Sequence, residues 1–333
     1  LESANAAARA SDEDRKSAEI TLVAEVVEAY FDVGQAEAAL ANAREAVSVR
    51  ERTIHLLEAR RRLGLAQDLD LELAASELEA ARADVPEAER QRAVSLHRLA
   101  VLTGRPCDLK LEGKPPEAFS VPPEVPVGIP STLVERRPDV RAAEARLVAA
   151  NARIGAARAN YFPRFTIVGQ FGYGALNASQ LNSPQAQLWT IGPAVSIPIF
   201  QGGLTQAQVF EAEARTGEAA ATFKDTVLRA FGEVADAVVG IAARVQTRDR
   251  RAAAARRQEH AVVVAESQFR DGLVSYFTVL DAQRTLLARR TALLGAQREL
   301  LGELVRLEKA LGGGWTRLVE PDTKGREGAD DER

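Results

Sequence analysis

The sequence predicts a mainly α-helical chain with a small β part, built from two copies of a long helical hairpin with one pair of strands between them. Three observations carry this. Alanine supplies about one residue in five of the 333, while Phe, Tyr and Trp supply 5%, a mixture that suits close-packed helices. The chain resembles itself at an offset of 208 residues, and after Pro163 the apolar period changes from helical to alternating.

The repeat aligns Glu25-Val26 with Glu233-Val234, Glu58 with Glu266, Arg62 with Arg270 and Gly64-Leu65 with Gly272-Leu273. It continues through Leu78 with Leu286, Arg98-Leu99 with Arg306-Leu307 and Gly104 with Gly312. Alanine matches carry little weight in so alanine-rich a chain; the Gly-Leu, Glu-Val and Arg-Leu pairs carry most. Each copy predicts a long helix, a glycine-containing turn and a second helix. The second copy runs from about Thr205 to Arg270, then from Tyr276 to about Leu311, and stops at Gly312-Gly313-Gly314.

In the last helix Val279, Leu286, Leu293, Leu300 and Leu307 recur every seven residues, beside Leu280, Leu287, Leu294 and Leu301. Two such lines make a broad seam for other helices. The first copy repeats the device with Leu71, Leu78, Val85 and Leu99, with Arg92 in place of one leucine. Pro86 inside this helix removes an amide donor and predicts a local bend.

The organisation follows: 1–104 a first hairpin, 105–130 a proline-rich crossover, 131–162 a helix entered through Arg137-Pro138-Asp139, 163–202 a strand pair, 203–314 a second hairpin and 315–333 a solvated tail. In the strand region Phe165, Ile167, Phe171 and Tyr173 share one parity, as do Trp189, Ile191, Val195, Ile197 and Ile199. Opposite them in the second strand lie Thr190, Gly192, Ala194 and Ser196. Such a face suits a strand with lipid on one side and a lumen on the other, and it equally suits a soluble hairpin covering a core. The loop from Ala175 to Ala186 is polar enough for solvent.

A net charge of -4 gives no general reason to bind nucleic acid, and the arginine-rich stretch from Arg244 through Arg248, Arg250, Arg251, Arg256 and Arg257 lacks interleaved aromatics. It predicts a solvated helix wall or interhelical ion pairs. One cysteine, Cys107, permits no internal disulfide, and His55, His97 and His260 are widely separated. There is no phosphate loop, dinucleotide fingerprint, zinc-protease helix or nucleophile elbow, so neither an enzyme nor a resident cofactor or metal is expected. No run of 18 apolar residues predicts a membrane-spanning helix, which leaves a β-barrel open. The first residue is Leu1 and methionine is absent, and subtracting the repeat offset would put a partner for the strand region upstream of Leu1. The sequence is therefore expected to be a processed product or a fragment.

The segment RRPDVRAAEARLVAANARIGAARANYFPRF, residues 136–165, resembles the central signature of the TolC-type outer-membrane efflux factors, in the lipoprotein branch that serves resistance-nodulation-division pumps. VSIPIFQGG at 195–203, FRDGLVSYFTVLDAQR at 269–284 and ALGGGW at 310–315 add to the likeness. The resemblance implies an α-barrel tube of helical hairpins joined to a trimeric outer-membrane β-barrel, with Phe165, Ile167, Phe171, Trp189, Ile191, Val195, Ile197 and Ile199 on its strands. It implies a homotrimer in a Gram-negative outer membrane with a long periplasmic extension, contacting outer-membrane lipid and working with a periplasmic adaptor and an inner-membrane pump. A passive conduit for small-molecule cargo follows. Gly64, Leu65, Gly272 and Leu273 fall on the adaptor-contacting tips, and Asp281, Phe277 and Asp70 on the narrow periplasmic entrance. The acylated cysteine of that branch has no counterpart here, since Cys107 stands far from the lipidation position. The alternative is a structural coiled coil or periplasmic adaptor outside any membrane, which explains the leucine lines but not the strand pair.

Overall fold

The computed structural model describes residues 1–107, 111–119, 136–174 and 184–313. Most of the crossover, most of the Ala175 to Ala186 loop, Gly314 and the tail lie outside the described residues. The elements are α1 (Glu2–Arg62), α2 (Asp68–Leu102), α3 (Pro138–Ala159), β1 (Arg164–Tyr173), β2 (Gln187–Ser196), α4 (Leu204–Arg270) and α5 (Tyr276–Ala310). Short 3-10 turns stand at Pro116–Ala118 and Pro184–Ala186. The chain divides into two compact units, Leu1–Asp14 with Asp139–Leu228, and Arg15–Pro138 with Arg229–Arg333.

In the first unit α3 packs through small side chains: Val140, Ala142, Ala143 and Ala149 are buried, as are Ala6, Ala10 and Ala212 on its neighbours. Ionic and amide contacts flank this alanine packing. Arg141 reaches the buried Glu13 at 2.9 Å, Arg158 reaches Glu213 at 3.0 Å, Arg146 pairs with Asp14, and Asn160 Nδ2 donates to Gln208 at 3.1 Å. Strands β1 and β2 form an antiparallel pair with Arg164 opposite Ser196 and Tyr173 opposite Gln187. The second strand ends at Ser196, so Ile197 and Ile199 continue its parity outside the sheet, a correction to their assignment as strand residues. In this register the residue opposite Ile197 would be Pro163, which has no amide to donate, and the pairing stops at Arg164 with Ser196.

The second unit makes the duplication visible. The long helices end at Arg62 and Arg270, the second helices open at Asp68 and Tyr276, and those helices close at Leu102 and Ala310, all at the offset read from sequence. Every end is closed by the same local device. The amides of Leu65, Arg105, Leu273 and Gly313 reach back to the carbonyls of Arg60, Ala100, Gln268 and Glu308 at 2.8–2.9 Å. The residue before each is a glycine with φ between 66° and 87°, a left-handed cap that glycine adopts without the clash a Cβ would bring.

The cores repeat as well. Ala29 and Val33 pack on Leu96 and Leu99 in the first copy; Val234, Ala237 and Ile241 pack on Leu300, Leu307 and Ala310 in the second. Where Leu300 is buried in the second copy, the first has Arg92, and it donates twice to Glu37 of α1 at 3.2 and 3.0 Å. An ion pair is duplicated too: Arg82 to Glu51 at 3.0 Å corresponds to Arg290 to Glu259 at 2.6 Å. Helix α2 is assigned without interruption through Pro86, which stands exposed on it.

The segment after the first copy straps across α1. Phe119 stacks edge-on against Phe31 and Tyr30, with centroids 5.0 and 6.3 Å away. Gly34 is required beneath it, because a Cβ there would stand 2.1 Å from the Lys114 carbonyl oxygen.

Candidate functional site

At the hairpin turns the four helix ends of the second unit share one core, in which Leu57, Ala74, Ala265, Phe269, Tyr276, Val279 and Leu280 are buried. Each contributes from a different face: Leu57 from α1, Ala74 from α2, Ala265 and Phe269 from α4, and the rest from α5. Arg60 ties the first turn to the second. Its guanidinium lies 4.7 Å from the Phe269 ring centroid, and its Nη1 donates to the Arg270 carbonyl at 3.1 Å, where the α4 dipole favours a cation.

Beside this core an ionic cluster joins three helices. Arg284 of α5 donates through Nε to Glu77 of α2 at 3.1 Å and through Nη2 to the other carboxylate oxygen. Arg50 of α1 stands 3.6 Å from Glu77, and both those side chains are nearly buried. The Arg284 hydrogen bond holds the Glu77 carboxyl below the usual glutamate range, against the opposing effect of burial. Burial pushes the Tyr276 hydroxyl up, and the Glu77 charge adds to it.

The turns themselves present apolar surface: Leu65 is 62% exposed and Leu273 73% exposed. Leu63 and Leu69 stand out beside them. The four residues expected at an adaptor contact, Gly64, Leu65, Gly272 and Leu273, thus sit together as two equivalent turns. Phe277 and Asp281 lie one helical turn apart on α5 and both are exposed, on the side away from buried Tyr276, Val279 and Leu280. Asp70 differs from them. Its carboxylate accepts the Gln67 backbone amide at 3.2 Å, capping α2, and it is half-buried. With α2 and α5 in register, Asp281 corresponds to Leu73 and Asp70 to Thr278. The two acidic residues are therefore not repeat equivalents, and Asp70 has a local structural task.

Sequence reasoning missed Arg60, Glu77, Arg50 and Arg284. Their partners lie on other helices, and in sequence each looks like an ordinary solvated charge between heptad leucines. Within the arginine-rich stretch, Arg244 pairs with Glu299 at 2.6 Å and Arg251 Nη1 donates to the Ala292 carbonyl at 2.8 Å, so interhelical pairing is part of its work. His55, His97 and His260 are exposed on helices, and Cys107 is exposed.

In the first unit the strand register sets the large side chains in rows. Phe165 faces Val195, Ile167 faces Pro193, Gly169 faces Ile191 and Phe171 faces Trp189, so the apolar parity of β1 and that of β2 occupy one side of the sheet. The other side carries Thr166 with Ala194, Val168 with Gly192 and Gln170 with Thr190. Among the described residues the apolar side covers no core: Phe165 is 79% exposed, Trp189 72% and Ile191 67%. No helix is long and apolar enough to cross a membrane among the described residues.

Duplicated helical hairpins with exposed apolar turns, together with a two-stranded sheet whose large apolar side is exposed, define a mainly helical class with a small strand pair. The model of the outer membrane efflux protein family matches residues 1–105 and 129–313, and the chain belongs to that family. It is 36% identical over 309 residues to the outer membrane protein OprJ of Pseudomonas aeruginosa, covering 92% of this chain and 64% of that protein. It is 32% identical over 310 residues to the solvent efflux pump outer membrane protein SrpC of Pseudomonas putida, covering 92% of this chain and 65% of that one. The chain thus spans just under two thirds of the length of these curated relatives. Among solved structures, a membrane protein from Pseudomonas aeruginosa matches with a TM-score of 0.80 at 34% identity, over 94% of this chain and 71% of that one.

Proposed function

We propose that the chain is part of an outer-membrane channel of a tripartite export system, a passive conduit from a periplasmic tube to the cell exterior. The observation that carries this is the aligned, solvent-facing apolar side of β1 and β2. Leaving a large apolar side chain in water forfeits about 1.5–3 kcal/mol relative to full burial, and a lipid surface recovers it for the whole row. A two-stranded sheet also has open edges, which strands from other subunits of a homotrimer would pair. The family membership and the names of the relatives, an outer membrane protein and a solvent efflux pump outer membrane protein, favour the same reading.

The partners in this reading are outer-membrane lipid, a periplasmic adaptor meeting the two glycine turns, an inner-membrane pump that supplies energy, and small amphipathic cargo. Asp281 and Phe277, which the family resemblance puts at the periplasmic entrance, form its constriction in this reading, and both stand exposed on α5. No covalent chemistry is required. The test is a clean deletion of the gene, followed by accumulation assays with several cargo classes in the presence and absence of the co-expressed pump. Export should fall and return on complementation; unchanged export and a product recovered only in the soluble periplasmic fraction would overturn the reading.

A further inference from the structure

The duplicated hairpins contain a record of how a second copy of the chain is seated, and we propose that Asp236 on α4 receives Arg90 on α2 of the next copy. This rests on the oligomeric reading above and adds the contact surfaces. Inside the chain the first hairpin already lies against the second. Arg298 of α5 donates through Nε to Asp32 of α1 at 2.7 Å and lies 3.7 Å from Glu28. The repeat carries Arg298 onto Arg90 and Glu28 onto Asp236, with the charges retained at both positions. Asp32 maps onto Gly240, so the copied contact keeps one acidic partner of two.

Exposure separates the two versions of the same surface. The Arg298 side chain is 18% exposed because the first hairpin covers it, whereas the Arg90 side chain is 59% exposed. Asp236 is likewise exposed and has no ion-pair partner among the described residues. Among the described residues the ion pair of Arg90 is with Glu87 one turn away, an exposed pair of small worth that releases it at little cost. One flank of the second hairpin and one flank of the first are therefore the two unmatched halves of a contact whose completed form is present in the chain. Successive copies joined through these halves extend the same hairpin-to-hairpin seating.

The turns follow the same rule. Arg60, which donates to the Arg270 carbonyl inside the chain, maps onto exposed Gln268, and Arg270 maps onto Arg62. The Gln268 amide then donates to the Arg62 carbonyl of the neighbouring copy. Arg284 and Glu77 map onto Ser76 and Thr285, so the contact between copies lacks the strongest ionic link of the contact within one.

The experiment uses the full gene product in detergent, with Cys107→Ala and any further free cysteine of that product replaced. Arg90→Cys with Asp236→Cys, treated with a short bis-maleimide, should give covalent multimers on denaturing gels. Arg298→Cys with Glu28→Cys should cross-link within one chain and leave the mass of a monomer. Arg90→Glu or Asp236→Arg alone should raise trimer dissociation by up to about fivefold per contact, and the double reversal should restore it. A preparation that is trimeric by native mass, yet gives no multimers with the first pair and no rescue, overturns the seating alone. A preparation with the native mass of one chain overturns the oligomeric reading and the seating with it.

Discussion

Glu77→Gln tests the ionic cluster that joins the two hairpins. The substitution keeps the shape of the side chain and removes the charge that Arg284 and Arg50 share. Arg284 is more than half exposed and recovers solvent, but Arg50 is only 10% exposed and is left with an uncompensated charge. Hydrogen bonds to charged groups contribute about 1.5–3 kcal/mol, and breaking a fully buried pair costs about 3–5 kcal/mol. With one partner exposed and one nearly buried, a loss of about 2 kcal/mol is expected at neutral pH, roughly thirtyfold in local opening. Because the folded-state pKa of Glu77 is depressed, its contribution is present above the usual glutamate range and is lost as pH falls through and below that range. The gap between wild type and variant should therefore close on acidification. Hydrogen exchange of α2 and α5 amides near residues 77 and 284, with urea unfolding over the same pH series, measures it. A variant as stable as wild type at neutral pH, or a gap that persists unchanged in acid, would refute the reasoning.

Leu57→Ala empties a fully buried position among Ala74, Phe269 and Tyr276 and should cost about 2–5 kcal/mol, read from the unfolding midpoint. Gly34→Ala drives a Cβ into the Lys114 carbonyl and should destabilise by about 1–3 kcal/mol, with faster proteolysis between residues 111 and 119 than elsewhere. Gly272→Val places a β-branched residue at φ 77°; it should disturb the turn and impair adaptor pull-down more than trimer yield, and equal loss of both would indicate ordinary folding damage. Asp281→Ala should alter cation preference in planar bilayers while stability holds. Asp70→Ala should cost about 1 kcal/mol through loss of its cap and leave conductance nearly unchanged; the reverse pattern would reassign the constriction.

The helix limits and the turns were legible from sequence because they are local. A glycine followed by leucine, at equivalent places in both copies, specifies a left-handed cap through backbone sterics alone, and heptad leucines specify which side of α5 is buried. The alternation in 165–195 likewise fixed the sides of both strands, since side-chain direction follows from the pleat. Sequence did not settle where β2 ends, because Ile197 and Ile199 keep the parity beyond Ser196, the last paired residue. Only the tertiary structure decided the rest. Whether the apolar rows of β1 and β2 share a side depends on register, and the pairing of Phe171 with Trp189 settles that. The ionic cluster, the Arg60 link and the passage of the strap over Gly34 join residues far apart along the chain, so no spacing announces them. Asp70 shows the difference at a single residue: the family resemblance placed it at the narrow entrance, and only the folded chain shows its carboxylate accepting the Gln67 amide at the first turn of α2.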